Sequence, residues 1–174
     1  QVIALAPIKL DDVMLVTKNG YALRFNIEEV PVIGAKAAGV KAINLKKDDV
    51  LAAAFIANTD SLYLLTQRGS LKRMAVADIP VTSRANRGLQ VLRELKAKPH
   101  RVFAAGPVYG EAVDFDLFTT EAEASEEQIL QVLSNKGTAY EINLADLSLS
   151  ERTSNGSFIS DTISDEEVFS AYIK

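Results

Sequence analysis

Apolar and polar residues alternate along most of this chain, and glycines interrupt the alternation at regular places. From Val13 to Leu45 it reads VMLVTKNGYALRFNIEEVPVIGAKAAGVKAINL. Val13 and Leu15 stand at a spacing of two before Gly20, and Phe25 and Ile27 stand likewise after it. That period predicts an antiparallel hairpin with one buried face. Asn19-Gly20 would supply the two left-handed positions of a tight type I′ turn.

The same stretch returns as LYLLTQRGSLKRMAVADIPVTSRANRGLQVLREL from Leu62 to Leu95. A more divergent third copy, LQVLSNKGTAYEINLADLSLSERTSNGSFISDT, spans Leu130 to Thr162. Placing Gly20, Gly69 and Gly137 in one column brings Gly39, Gly88 and Gly156 into a second without gaps. The first two copies are 49 residues apart and the next two 68. A period of this length built of short strands marks a propeller-like array.

A third apolar column, Val30, Ile79 and Leu147, precedes Pro31, Pro80 and Ser148, and proline there ends a strand. A polar or small-residue segment then leads through the second glycine to Val40–Leu45, Leu89–Leu95 and Ser157–Ile163. A charged turn leads on to Val50–Ala57, Val102–Val108 and Val168–Ile173. The expectation is an all-β array of about three four-stranded antiparallel blades in an incomplete ring. Their bounds fall near 11–58, 59–110 and 111–174 within a single domain over 1–174. An insertion over about 111–128 holds the strand-like Val113–Thr119 and one short helix candidate, Thr120–Gln128, which has no apolar stripe.

Composition changes the picture in two ways. There is no cysteine, which removes disulfides and thiolate metal sites. The net charge of −4 hides a strong asymmetry. Residues 59–110 carry 9 Lys/Arg against 3 Asp/Glu, whereas residues 111–174 carry 3 against 14. A basic front and an acidic tail point to charged partners. No apolar run reaches the ~18 residues of a membrane span, and no signal-peptide pattern opens the chain. The chain begins inside the strand-like QVIALAPI, so it is expected to be a C-terminal piece of a longer protein with further copies upstream.

The repeats resemble the C-terminal domain of bacterial type IIA topoisomerase A subunits. The residues that carry the resemblance are Val13-Met14-Leu15-Val16-Thr17, Gly20, Arg24, Val30-Pro31, Ala38-Gly39-Val40-Lys41-Ala42-Ile43 and Asp49-Val50. Leu64-Leu65-Thr66, Gly69, Arg73, Ile79-Pro80 and Arg87-Gly88-Leu89 repeat them. The resemblance implies a β-pinwheel whose blades exchange strands and whose basic rim bends duplex DNA. It implies a non-catalytic part of an isomerase whose active site lies elsewhere. The implied partners are double-stranded DNA, the ATPase subunit of the topoisomerase, and the N-terminal catalytic part of the same polypeptide. The implied setting is cytoplasmic and nucleoid-associated, without membrane. Gyrase A subunits carry a run of a glutamine, two arginines, two glycines, a lysine and a glycine before the third strand of the first blade. Here the corresponding segments are GAKAAG, SRANRG and ERTSNG. That departure favours the topoisomerase IV branch, which steers substrate choice in decatenation, supercoil relaxation and chromosome segregation, over gyrase-type chiral wrapping.

The residues assigned to a DNA surface are Lys18, Arg24, Lys36, Lys41, Arg68, Lys72, Arg73, Arg84 and Arg87. Most recur near the hairpin glycine or just before the second glycine, so a propeller would lay them along one rim. Duplex DNA presents one negative charge per about 1.7 Å, and such a stripe displaces condensed counterions. The alternative is a solvated rim that deters edge pairing, on a propeller that binds proteins through its acidic repeat. Tyr21, Tyr63, Phe25 and Phe55 alternate like core residues, with no stacking platform for single strands. No catalytic residues, cofactor or metal are expected. His100, beside Pro99 and Arg101, is expected at the surface. Asp11-Asp12, Glu28-Glu29 and Asp48-Asp49 read as solvated turn residues.

Overall fold

The computed structural model describes residues 12–46, 49–57, 59–109 and 128–174. The opening strand-like segment, and the insertion with its helix candidate up to residue 127, lie outside the described residues. Among those described, the chain forms eleven strands and four 3-10 turns, with no α-helix. The first sheet contains β1 (Asp12–Thr17), β2 (Tyr21–Asn26), β3 (Leu51–Ile56) and β6 (Leu89–Gln90), in the order β3-β1-β2-β6. The second contains β4 (Ser61–Thr66), β5 (Ser70–Ala75), β7 (Val102–Val108) and β10 (Ser157–Phe158), in the order β10-β5-β4-β7. The third is three-stranded among the described residues: β11 (Val168–Ile173), β8 (Ile129–Ser134) and β9 (Ala139–Asn143). All the strand pairs within these sheets are antiparallel.

All three hairpins use one turn, and it differs from the type I′ turn expected at Asn19-Gly20. Only the glycine has positive φ: 81° at Gly20, 73° at Gly69 and 85° at Gly137. Each glycine N–H donates to the carbonyl three residues back, on Thr17, Thr66 or Ser134, at 3.0, 2.9 and 3.0 Å. Negative φ at both central positions makes this a type I turn closed by a left-handed residue. The hydroxyl of the same Thr17, Thr66 or Ser134 accepts from the N–H of Tyr21, Ser70 or Thr138, each at 3.1 Å. All three hydroxyl residues are buried, so the column of Thr, Thr and Ser serves the turn rather than solvent.

After β2, β5 and β9, the apolar residues Ile27, Val76 and Leu144 open 3-10 turns instead of prolonging the strands. Each turn closes when Val30, Ile79 or Leu147 donates its N–H back to that residue. The chain then leaves its own blade. The residue pattern alone assigned each segment after the second glycine to its own unit, whereas the resemblance implied exchange between blades. The two that form strands instead pair with the preceding blade: Leu89 and Gln90 with Ala22 and Tyr21, and Ser157 and Phe158 with Leu71 and Ser70. Parallel bridges at Arg24–Val81 and Arg73–Leu149 start each clasp. Val40–Leu45, with no preceding blade among the described residues, forms no strand.

This exchange explains the second glycine column. A Cβ on Gly88 would lie 2.3 Å from the Ala22 carbonyl oxygen, and one on Gly156 would lie 2.4 Å from that of Leu71. Gly39 keeps the same left-handed φ of 84° with nothing within 4 Å. Two arginines one repeat apart tie the clasps down: Arg84 Nη1 donates to the Lys41 carbonyl and Arg152 Nη1 to the Gln90 carbonyl.

The core lies between blades. Met14 and Val16 of the first face Leu62, Leu64 and Met74 of the second, and Tyr63 and Leu65 face Leu130, Val132 and Ile163 of the third. The middle blade is therefore covered on both faces, and β4 is buried along its whole length, where one buried face was expected. Leu15, Leu23, Phe25 and Ile43 form a third cluster on the remaining side of the first blade.

Lys72 belongs to this interior, which corrects its assignment to a DNA surface. It is 2% exposed and aligns with the buried Leu23 of the first repeat. Its Nζ donates to the carbonyls of Val91 (2.5 Å), Arg152 (2.6 Å) and Ser154 (2.9 Å). At the first joint the equivalent carbonyls, on Ala42 and Asn86, accept the backbone N–H groups of Ala85 and Asn44 at 2.8 Å. The ammonium thus stands in for a backbone ladder at the second joint. Burial, with repulsion from Arg152, pulls its pKa from 10.5 down to about 8, against the opposing pull of Asp78.

These contacts have consequences for stability that unfolding curves can read. Gly88→Ala meets both a disfavoured φ and a backbone oxygen, whereas Gly39→Ala meets only the φ. Urea unfolding should show a loss of about 1–2 kcal/mol for Gly39→Ala and clearly more for Gly88→Ala, and equal losses would contradict the clasp. Lys72→Met strands three carbonyls and should cost on the order of 2–3 kcal/mol at pH 7. Because the native ammonium loses its proton first, the unfolded chain binds more protons between about pH 8 and 10.5. Wild-type stability should therefore rise with pH in that window, by at most about 1.4 kcal/mol per unit relative to Lys72→Met. A flat difference between the two proteins from pH 7.5 to 10 would contradict the buried ammonium.

Candidate nucleic-acid interface

The remaining assigned cations sort into two neighbourhoods, with Lys36 apart. The first surrounds the clasps on β2 of the first blade and β5 of the second. Arg24 lies on β2, and its Nε and Nη2 meet Asp12 Oδ2 at 2.8 and 2.7 Å. It is half-buried and its charge is matched by a carboxylate, so it contributes less to a free basic surface than expected. Arg73, its equivalent on β5, keeps the same geometry with a neutral partner: Nε donates to Ser61 Oγ at 2.8 Å, and Nη1 reaches the Ala145 carbonyl at 3.2 Å. Arg84 spends its guanidinium on the Lys41 and Glu29 carbonyls, and its N–H donates to Glu29 Oε2 at 2.8 Å. Its first duty is to the clasp. Lys41 is exposed, with Nζ 2.8 Å from Asn44 Oδ1. Arg87 lies over the Tyr21 ring, its Cζ 3.7 Å from the centroid.

The second neighbourhood lies at the hairpin end of the blades. Lys18 is exposed on the first turn, and its carbonyl accepts the Val102 N–H at 2.9 Å. Arg68, on the second turn, donates to the Lys98 carbonyl and to His100 Nε2, both at 3.1 Å, and its Cζ lies 5.5 Å from the Phe158 ring centroid. Arg68, Lys98 and Arg101 line one wall of a cleft of about 520 Å³ whose other wall holds Asp165, Glu166 and Glu167. The acids face the cations across this cleft, so it attracts neither sign of ligand strongly.

His100 is buried, contrary to the surface position expected for it. Arginine can only donate, so Nε2 accepts from Arg68 and the ring proton sits on Nδ1, 3.2 Å from Thr66 Oγ1. Burial and the Arg68 charge push its pKa below 6.5, which keeps it neutral. The acidic pairs are less uniform than a set of solvated turns. Asp12 is taken up by Arg24, Asp49 Oδ1 accepts the Asn19 N–H at 3.0 Å, and Glu29 holds Arg84. Glu28 is exposed, while Asp11 and Asp48 lie outside the described residues.

Sequence reasoning passed over the exposed Lys46, Arg93, Lys96 and Lys98, and the half-buried Arg101. The charged run RELKAKPHR from Arg93 to Arg101 was the available signal. Where Arg73 stands in the second blade the third has Glu141, hydrogen-bonded to Gln131 Nε2 at 2.6 Å. No group of metal-ligating side chains occurs among the described residues. The arrangement offers exposed cations on a rigid β frame, which suits binding to a polyanion.

Comparison with known proteins agrees with this fold. Residues 11–58 and 60–108 match the family described as DNA gyrase C-terminal domain, beta-propeller. The A subunit of DNA topoisomerase 4 from Streptococcus pneumoniae is 70% identical over 100% of this chain and 21% of its own length. Its counterpart from Bacillus subtilis is 43% identical over 86% of the chain and 17% of the relative. The chain thus spans about a fifth of the length of the curated relatives it matches. Among solved structures, the C-terminal domain of DNA topoisomerase IV superposes with a TM-score of 0.78 at 33% identity, covering 94% of this chain and 46% of that one. The DNA gyrase A C-terminal domain gives 0.73 at 19% identity, covering 96% and 52%, a likeness of fold alone. This chain, with two clasped four-stranded blades repeating a single pattern and a third alongside, belongs to the DNA gyrase C-terminal domain family and is most like the topoisomerase IV members among the relatives above.

Proposed function

We propose that this domain binds duplex DNA by its phosphates and bends it, making and breaking no bond itself. The observation that carries the reading is the set of cations left exposed once the clasps have taken theirs. Lys18, Lys36 and Lys41 are exposed, as are Lys46, Arg93, Lys96 and Lys98. These seven belong to the first two repeats; Lys136 and Lys174 are the exposed cations described in the third, which carries most of the acids. Family membership supports the reading, because the matched relatives are topoisomerase subunits by name. A rigid frame that contacts backbone and not base edges favours deformable sequence over any particular sequence.

Within a longer protein, the domain would hold a DNA segment near the catalytic part of the same polypeptide and near its ATPase partner. It would thereby tune preference among DNA crossings in decatenation and relaxation. Gyrase-type wrapping is disfavoured by SRANRG and GAKAAG in place of the gyrase run. A protein-docking role through the acidic blade is the rival reading.

Binding to a short duplex should weaken steeply with salt. If four or five phosphates are neutralised, log affinity against log salt should have a slope of about −4. Replacing Lys18 or Lys41 by alanine should reduce the magnitude of that slope by about one each, evenly across DNA sequences. Absence of binding at low salt, or affinity indifferent to salt, would overturn the reading in favour of protein docking.

A further inference from the structure

Apart from Arg93, which is exposed, the arginines of the first two repeats named above are nearly all committed to the protein itself. Arg24 holds Asp12, Arg68 holds Lys98 and His100, Arg73 holds Ser61 and Ala145, and Arg84 holds Lys41. Arg87 differs. It makes no hydrogen bond or ion pair among the described residues, and its Nε is buried without a partner. What fixes it is the ring of Tyr21 on the neighbouring blade, 3.7 Å from its Cζ. Stacking on an aromatic face restricts the side chain without cancelling its charge, and it leaves the edge of the guanidinium unspent.

Arg87 also borders an open cleft of about 240 Å³ between β2 and the clasp that crosses it. Arg24 and Thr82 stand on the same border, and Ile79 and Leu89 add an apolar lining. No Asp or Glu is among the described residues that line it. Asp12 matches the charge of Arg24 from outside the lining, which leaves that of Arg87 unmatched. The cleft therefore keeps one uncompensated positive charge with its donors held in place. That combination suits a tetrahedral anion on a small apolar body, which is the shape of a backbone phosphate with its sugar.

We infer that this cleft seats a single phosphodiester of the bound duplex. Arg87 is the residue that touches the phosphate, and Tyr21 is a positioning residue that acts through Arg87. The inference rests on the DNA-binding reading and sharpens it, because the pair occurs once. One repeat on, Tyr21 becomes Ser70 and Arg87 becomes Asn155, so the second joint has neither the platform nor the charge. The DNA path is then pinned at the joint of the first two blades, and the other exposed cations follow along it.

The test is binding of the 174-residue chain to a short duplex across a salt series, with unfolding curves recorded for each variant. Arg87→Gln should weaken binding about tenfold and reduce the magnitude of the slope by about one. Arg87→Lys keeps the charge and so the slope, but loses the planar stack and should bind about threefold more weakly. Tyr21→Phe should behave as wild type. Tyr21→Leu should weaken binding about three- to fivefold with the slope retained, a pattern that loss of fold would not give. Lys136→Gln, exposed on the third blade, should change nothing. If wild type binds with a steep salt slope while Arg87→Gln and Tyr21→Leu match it, the seat is wrong and the DNA reading stands. If wild type shows no salt-dependent binding, the DNA reading fails and the seat fails with it. Should Arg87→Gln not fold, the contrast between Tyr21→Phe and Tyr21→Leu decides alone.

Discussion

Everything in this molecule depends on how closely one blade's backbone can approach the next. The clasp that completes each of the first two sheets crosses the preceding blade so tightly that Gly88 and Gly156 could not carry even a Cβ. A hairpin alone is marginal, and the open edge of a short sheet invites pairing with other chains. Lending a strand to the blade before solves both problems, and it ties the repeats together. Stability is then shared between neighbours, as in other repeat proteins, and the interior sits between blades instead of within any one of them.

The same constraint decides what the cations can do. A clasp brings carbonyl groups together at the joint, and these need donors. At the first joint backbone N–H groups serve; at the second, Lys72 puts its ammonium among the equivalent carbonyls. Arg84 and Arg152 repeat one another as staples between clasps. A basic residue in this fold is therefore as often a fastener as an exposed charge. The ones left exposed are chiefly lysines on turns and loops and Arg93, and beside them stands Arg87, which is held by a ring and by no acceptor.

Much of this was legible in the chain. The two glycine columns, the prolines that follow the apolar Val30 and Ile79, and the spacing of two around each hairpin pointed to blades of the right composition. The turn type was not legible, because Asn-Gly fits two hairpin loops and the choice fell to the hydroxyl of Thr17, Thr66 or Ser134. Nor was the exchange legible from residues alone, since local alternation says that a strand forms and not which sheet it joins. Lys72 was misplaced although the column that contains it pairs it with Leu23 and Tyr140. Reading down that column would have shown an inward position. His100 was misjudged for a related reason: its partners, Thr66 and Arg68, lie 34 and 32 residues away.

The central claim is that DNA meets the outer surface where the first two blades are clasped, and meets neither the interior nor the acidic third blade. Backbone amide chemical shifts followed during titration with a short duplex test it most directly. The account predicts shifts clustered at Lys18, Tyr21, Lys41 and Arg87, with Lys72 and Glu141 unmoved. Shifts concentrated in the third blade, or spread evenly over all three, would contradict it.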